Sequence, residues 1–377
     1  MDRSVRASQE AVISHASSSF KIKNVPRHLA KEEVTMKNLL RLLLKTQHWH
    51  NRYSQAQKEQ GMTLIELLIG MVIAFLIITP MLAFVVDMLN TDRREQVKAN
   101  TEQDIQAAVD FIAQDLSQAI YIYDNAGITA VNASPTPLPT VPNATPILVF
   151  WKRQLRKNVL PINPTGANTP APSACESGTP CNDTYVLSLV GYYQVKDTKP
   201  IWCQSGSPCP TRIARYQIKD GLKDPRPADP ANPSYYTGQE PSPAYNPLFN
   251  ISKPLENVMV ANGSWESDDV LVNYIHHNTV NLPTPDAQEC KKALGKPTTQ
   301  TGATTTQIPE ETLKIGSIPA TPANFYACVD SARNLVRVTI RGNSLRRIQN
   351  NADYNPNNSA YFPTATVQVQ GLGSRGN

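Results

Sequence analysis

The hydrophobic pattern along the chain changes period twice. The stretch Gln60 to Asn90, QGMTLIELLIGMVIAFLIITPMLAFVVDMLN, contains twenty residues without a charge, Leu67 to Val86. At about 1.5 Å per residue this run reaches roughly 30 Å, the thickness of a bilayer's hydrocarbon core. It is long enough to span and too long for the apolar region of a secretory signal. Next, Ile105, Val109, Ile112, Leu116 and Ala119/Ile120 recur at helical spacing, with Asp104, Asp110 and Asp115 mostly outside the stripe. Met62 to about Tyr123 is therefore expected to form one long helix of roughly 90 Å. Its first half is apolar all round; its second half is amphipathic, as packing against a sheet requires. Gly70 and Pro80 interrupt the first half. Proline removes one backbone bond and clashes with the carbonyl of Leu76, which predicts a kink or melted turn there.

From Pro146 onward the apolar period becomes two. The expected strands are Ile147 to Trp151, Tyr185 to Gln194, Arg212 to Ile218, Asn257 to Ala261, Val270 to His276, Phe325 to Val329, Leu335 to Arg341 and Thr364 to Gln370. Short strands after a long helix predict an α+β fold, with an antiparallel sheet laid against that helix. Between the strands lie long Pro-rich segments. Asp220 to Pro254 alone holds eight prolines, which limits helix and strand and predicts extended decorations around the sheet.

Charge is unevenly placed. Residues 1 to 61 carry eleven Lys or Arg against five Asp or Glu, a balance of +6. The remainder has 25 basic and 26 acidic residues, about −1, so the net +5 belongs to the N-terminal segment. Basic residues before a membrane segment hold that side in the cytoplasm, which predicts export of everything after it. Nothing basic enough for unassisted nucleic-acid binding remains, and no nucleic-acid partner is expected. Met36-Lys-Asn-Leu-Leu-Arg-Leu-Leu-Leu-Lys45 has the pattern of a short basic amphipathic helix at a membrane surface, and Met36 is an alternative start.

All six cysteines follow the apolar segment: Cys175, Cys181, Cys203, Cys209, Cys290 and Cys328. An even number in an oxidising compartment reads as disulfides. CESGTPC and CQSGSPC repeat one frame, which suggests local bridges Cys175–Cys181 and Cys203–Cys209 and leaves Cys290–Cys328; six cysteines allow fifteen connectivities. A zinc site is the rival, but the spacing is not CxxC and no histidine is near in sequence.

Chemistry-bearing clusters are sparse. His276 and His277 are adjacent at a strand end, where neighbours point to opposite faces and cannot readily share a ligand; an exposed residue beside a half-buried one is expected. Ser267-Asp268-Asp269 with Asp183 offers oxygens for calcium, or simply a solvated turn. Tyr235-Tyr236, Tyr245 and Phe249 either stack on a sugar or a partner or anchor their own loop. There is no GxSxG, phosphate-binding Gly-rich loop, HExxH or dinucleotide fingerprint. No enzyme, cofactor or metal is expected.

Gly61-Met62-Thr63-Leu64-Ile65-Glu66 before an apolar helix resembles the signal of type IV prepilins and type II secretion pseudopilins. The resemblance implies cleavage by prepilin peptidase between Gly61 and Met62, N-methylation of Met62, and a filament-assembly role for the Glu66 carboxylate, paired with a neighbouring subunit's terminal amine. Met62 departs from the usual phenylalanine. A carboxylate at the edge of a membrane helix is itself unfavourable unless paired. More loosely, Arg93 to Asp124, with Asp115-Leu116 closing the helix, and the order of the later strands are similar to the secretion J and pilus W families. Asn334 to Arg347, NLVRVTIRGNSLRR, is similar to cyanobacterial hormogonium polysaccharide secretion pseudopilins.

The resemblance implies a leader (1–61), a membrane and filament-core helix (62–86), its amphipathic continuation (87–124) and an exported β-rich domain (125–377), in a pilin-like fold. The implied function is a minor pseudopilin that helps assemble or cap a short filament for polysaccharide or protein secretion and surface motility. The alternatives are a minor pilin for motility, adhesion or DNA uptake and, more distantly, a single-pass anchored receptor. Implied partners are prepilin peptidase, other pilins or pseudopilins through the helix, the inner-membrane assembly platform, and the plasma membrane before assembly. Size and loops argue against a major subunit, and Glu66 argues against the extreme tip position.

Overall fold

The computed structural model describes residues 63–135, 137–162, 175, 181–196, 201, 203, 209–224, 234–236, 238–266, 268–276, 281–298, 308–316, 323–350 and 352–373. The leader, with Gly61 and Met62, lies outside the described residues. The chain divides into two units, Met1–Met81 and Leu82–Asn377. Helix α1, Leu64–Ser117, contributes to both.

In the first unit, residues 64–81 are helical and every side chain is exposed. The helix runs through Gly70 and Pro80 without a melted turn, contrary to that part of the expectation. At the residue before the proline, the Thr79 hydroxyl donates to the Phe75 carbonyl at 2.8 Å, a local bond that accompanies the missing proline donor.

In the second unit, α1 buries Thr101, Ile105, Ala108, Val109, Ile112, Asp115 and Leu116. Four of these are the stripe read from the sequence. The helix stops at Ser117, six residues short of the expected Tyr123, and the chain turns through a Gln118 N–H to Asp115 carbonyl bond. Ala119–Ile122 becomes strand β1, in register with Lys152, Trp151 and Phe150. Its sequence AIYI suits a strand, and pairing satisfies backbone groups that a frayed helix end would leave open. Asp124 caps α2 (Asn125–Asn132) by accepting from Gly127 N–H at 2.7 Å.

Strands β2 (Ala144–Pro161), β3 (Cys181–Val195), β4 (Thr211–Lys219) and β5 (Asp268–Ile275) complete a five-stranded antiparallel sheet in the order β1-β2-β3-β4-β5. Short helices α3 (Glu289–Ala293) and α4 (Glu310–Leu313) precede a second sheet, β6 (Lys314–Ile315), β7 (Phe325–Asp330), β8 (Leu335–Arg341) and β9 (Thr364–Gln370), also antiparallel and in chain order. The sheets meet at an Ile275–Gly342 bridge, reinforced by Asn343 N–H to Tyr274 carbonyl at 2.8 Å. One hydrophobic core joins α1 to both sheets, with Ile105, Ile112, Val149, Ile213, Val338 and Ile340 all within it.

The first sheet is covered on both faces. Lys152, Tyr192 and Arg215 point toward α1. Trp151 points the other way and stacks on Phe249 at 3.8 Å, with Tyr245 edge-on at 6.1 Å. The covering layer comes from residues 220–224, 234–236 and 238–266, which take in the described parts of the Pro-rich segment Asp220 to Pro254 expected to be decoration. Its expected strand, Asn257 to Ala261, is absent. Asn257 and Asn262 sit at φ 51° and 55°, which ends extended structure on both sides, and only Met259 bridges, to Tyr245. Gly221 permits the layer's close crossing: a Cβ there would lie 2.4 Å from the Gln239 carbonyl oxygen.

Three disulfides join Cys175–Cys181, Cys203–Cys209 and Cys290–Cys328, the pairs that the repeated frames suggested. The last ties α3 to β7 inside a cluster with Leu294 and Leu313 and spans 38 positions, against six for each of the others. Loop-closure entropy grows with loop length. Replacing Cys290 and Cys328 by serine should therefore lower the unfolding free energy by about 2–4 kcal/mol. The Cys175/Cys181 pair should cost less. Denaturant titration of wild type and the two variants checks the order, and equal losses would contradict it.

Candidate functional site

The N-terminal end of α1 carries the first group of candidate residues. Thr63 precedes the helix and accepts the Glu66 N–H through its side chain at 3.4 Å and its carbonyl at 3.0 Å. Thr-x-x-Glu is the pattern of a helix N-cap followed by an acid at the third helical position, a signal present in the sequence but not read from it. It puts the Glu66 carboxylate in the first turn, where the partial positive charge of the open N–H groups favours an anion. Every apolar side chain from Leu64 to Leu89 is exposed. Among the described residues, α1 alone is long and apolar enough to cross a membrane.

The second group lies at the other end of α1 and is centred on Asp115, a residue placed by the sequence at the helix end and off the apolar stripe. Asp115 is buried. Its Oδ1 accepts from Lys152 Nζ at 2.7 Å, and its Oδ2 from Arg215 Nε at 2.8 Å and Tyr192 Oη at 2.7 Å. Arg215 continues to Gln217 Oε1 at 2.7 Å, and Gln217 and Ser188 both donate to Gln154 Oε1 at 2.9 Å. Burial pushes the Asp115 carboxyl up, but the Arg215 guanidinium and the bonds from Lys152 and Arg215 outweigh it and hold the group below the usual carboxylate range. Burial and the adjacent carboxylate push the Tyr192 hydroxyl far up, so it stays a donor. The arrangement positions strands on a helix; its groups are occupied by one another. Nearer the middle of α1, Arg347 donates to Thr101 Oγ1 at 2.9 Å, pairs with Asp104 and lies over the Tyr274 ring, fixing β5 and the segment after β8 to the helix.

The remaining candidates are dispersed. His276 is fully buried rather than half-buried, 3.2 Å from Asn343 Nδ2 and edge-on to Phe362; His277 lies outside the described residues. Packing of β5 against the Asn343 turn encloses it. Asp183 accepts Asn158 N–H at 2.8 Å at the far end of β3. Asp269 lies opposite Arg215, which itself pairs with Tyr192. Nine positions of β3 separate the two acids, roughly 30 Å, and Ser267 is outside the described residues. Tyr236, Tyr245 and Phe249 are buried, the last two against Trp151 of the sheet, so of the two readings the structure selects the anchored loop. Tyr235 bonds Asp220 at 3.1 Å.

Replacing Asp115 by asparagine leaves Lys152 and Arg215 buried without their counter-charge, which should cost about 3–5 kcal/mol of stability at pH 7. The folded pKa lies below the unfolded one. The contribution is thus whole above about pH 3.9 and lost as pH falls through the folded value. Denaturant titrations of wild type and D115N at pH 7 and pH 3 test both parts. A loss under about 1 kcal/mol at neutral pH, or an undiminished difference at pH 3, would remove the clamp from the account.

Residues 56–82 match the family described as Prokaryotic N-terminal methylation motif. No curated protein and no solved structure matches the chain. The matched segment covers the Gly61–Glu66 signal and the start of α1, and the motif belongs to structural rather than enzymatic proteins. It implies processing by prepilin peptidase and assembly with other pilins. Together with one membrane-length apolar helix and a long helix packed on an antiparallel sheet, the match supports a type IV prepilin-like protein.

Proposed function

We propose that the chain is a minor pseudopilin: cut after Gly61, N-methylated on Met62, held in the plasma membrane by α1, then drawn into a short filament serving secretion. The carrying observation is the placement of Glu66 in the capped first turn of a helix whose apolar side chains from Leu64 to Leu89 are all exposed. The proposed cut makes Met62 the amino terminus, four positions before that carboxylate in sequence.

In lipid, an unpaired carboxylate at the helix edge is unfavourable. Pairing it with the terminal amine of a neighbouring subunit relieves the penalty only when two helices stand at one relative height, so the pair sets axial register. Apolar side chains gain little by leaving lipid for other helices, since acyl chains are equally apolar. The polar pair therefore supplies direction that packing alone lacks. Three disulfides support an oxidising, exported location for residues 125–377. Basic residues 1–61 support a cytoplasmic leader. The two-faced sheet domain would stand outside the filament core.

A deletion strain complemented with wild type, G61R or E66A provides the test. G61R should leave the protein at precursor size; an unchanged, shortened product would refute cleavage at this glycine. E66A should be processed normally and yet fail to restore exported polysaccharide or protein, while sheared surface pili persist. Loss of pili with secretion intact would instead assign the chain to a motility pilus. Full complementation by E66A would end the assembly role of Glu66.

A further inference from the structure

Past the charge-free run, which ends at Val86, α1 continues through Asp87, Met88 and Leu89 to Arg93 and Arg94, four and five residues beyond Leu89. That spacing is about 6–8 Å along a helix, and the headgroup layer beyond the hydrocarbon core is about as thick. With Asn90 from the same helix, and Ile348 and Gln349 from the segment after β8, the two arginines line a cavity of about 260 Å³. Both arginines are exposed. Among the described residues neither has a carboxylate partner: Glu95 faces Lys98 at 3.9 Å, Asp104 is taken by Arg347, and Asp87 and Asp92 are not part of the lining. The lining combines two planar guanidinium groups, two side-chain amides and one apolar rim residue. Guanidinium groups bind phosphate oxygens in pairs, and amides suit the glycerol hydroxyls next to them.

We propose that Arg93, Arg94, Asn90 and Gln349 bind the phosphodiester headgroup of an anionic phospholipid at the face where the folded domain meets the bilayer. The proposal rests on α1 spanning the membrane, as read above. Leu89, the last exposed large apolar residue of α1 before the arginines, lies one turn below them, which would place the cavity opening at phosphate depth with Ile348 against the start of the acyl chains. A headgroup held there ties the segment after β8 to the helix from the lipid side, as Arg347 does from the protein side. Extraction into a filament would release it.

The full chain, reconstituted in phosphatidylcholine vesicles with and without phosphatidylglycerol, is extracted gently and its retained lipids weighed by native mass spectrometry. Phosphatidylglycerol should be enriched over its bulk fraction by roughly fivefold per arginine. R93Q/R94Q should return it to bulk, whereas K98Q should not. Retention of enrichment in R93Q/R94Q, or its absence in wild type, overturns the proposal. Inorganic phosphate at millimolar concentration serves as the soluble probe. If it displaces the lipid fully, the cavity is a free-anion site and the lipid assignment falls. Alkaline extraction of the vesicles separates the two levels of inference. Wild type released by alkali would remove the membrane span itself, and integrated protein without enrichment would remove only the headgroup site.

Discussion

A buried carboxylate has few stable surroundings, and the junction of α1 with the first sheet is arranged around one such group, Asp115. Asp115 leaves water with two cations and a phenol as its partners, each from a different strand. An isolated charge in such a place costs several kcal/mol, so the three partners act as a constraint on the sheet. A one-residue slip of β2 or β4 would turn Lys152 or Arg215 to the opposite face and take one of the two counter-charges from the acid. The same carboxylate marks the end of α1. Past it the chain reverses and pairs β1 with the very stretch of β2 that carries Lys152.

The other face of the same sheet obeys a simpler rule. Trp151, Tyr193 and Tyr216 present large apolar area there, and something must cover it. The cover is a segment with almost no regular structure, held by stacked rings and by backbone bonds such as Tyr236 N–H to the Leu222 carbonyl. Proline suits this task because it withdraws donors that a buried irregular segment would have to satisfy. The sheet is thus the middle of three layers, with polar chemistry on the helix side and aromatic packing on the loop side. This asymmetry explains why Lys152 and Trp151, adjacent in β2, are both buried yet live in opposite environments.

The first unit follows a different physics. Its helix offers almost only apolar side chains to its surroundings: Glu66 stands at the capped start, and the Thr79 hydroxyl is bonded to the helix's own backbone. Such a surface is stable in lipid or among other helices, and the single acid is what distinguishes one neighbour height from another. Function at this end depends on what surrounds the helix; stability at the other end depends on what the chain folds onto itself.

What the sequence determined by itself was local. The apolar run, the Gly61–Glu66 signal, the stripe from Ile105 to Leu116 and the strands Leu335–Arg341 and Thr364–Gln370 were legible because each is written in a few consecutive turns or alternations. The repeated cysteine frames were legible for the same reason. Even the missed N-cap at Thr63 was a local pattern. The tertiary structure decided what depends on distant residues. Asp115 read only as an acid off the apolar stripe near the helix end, because its partners lie 37, 77 and 100 positions away. Helical spacing at Ala119 and Ile120 lost to a strand because β2 supplied a ladder that no window of neighbouring residues contains. The Pro-rich segment read as decoration because nothing in its own composition announces the Trp151 face it covers. A period reveals which face of an element is apolar, but only the fold decides what that face, or a lone charge beside it, will meet.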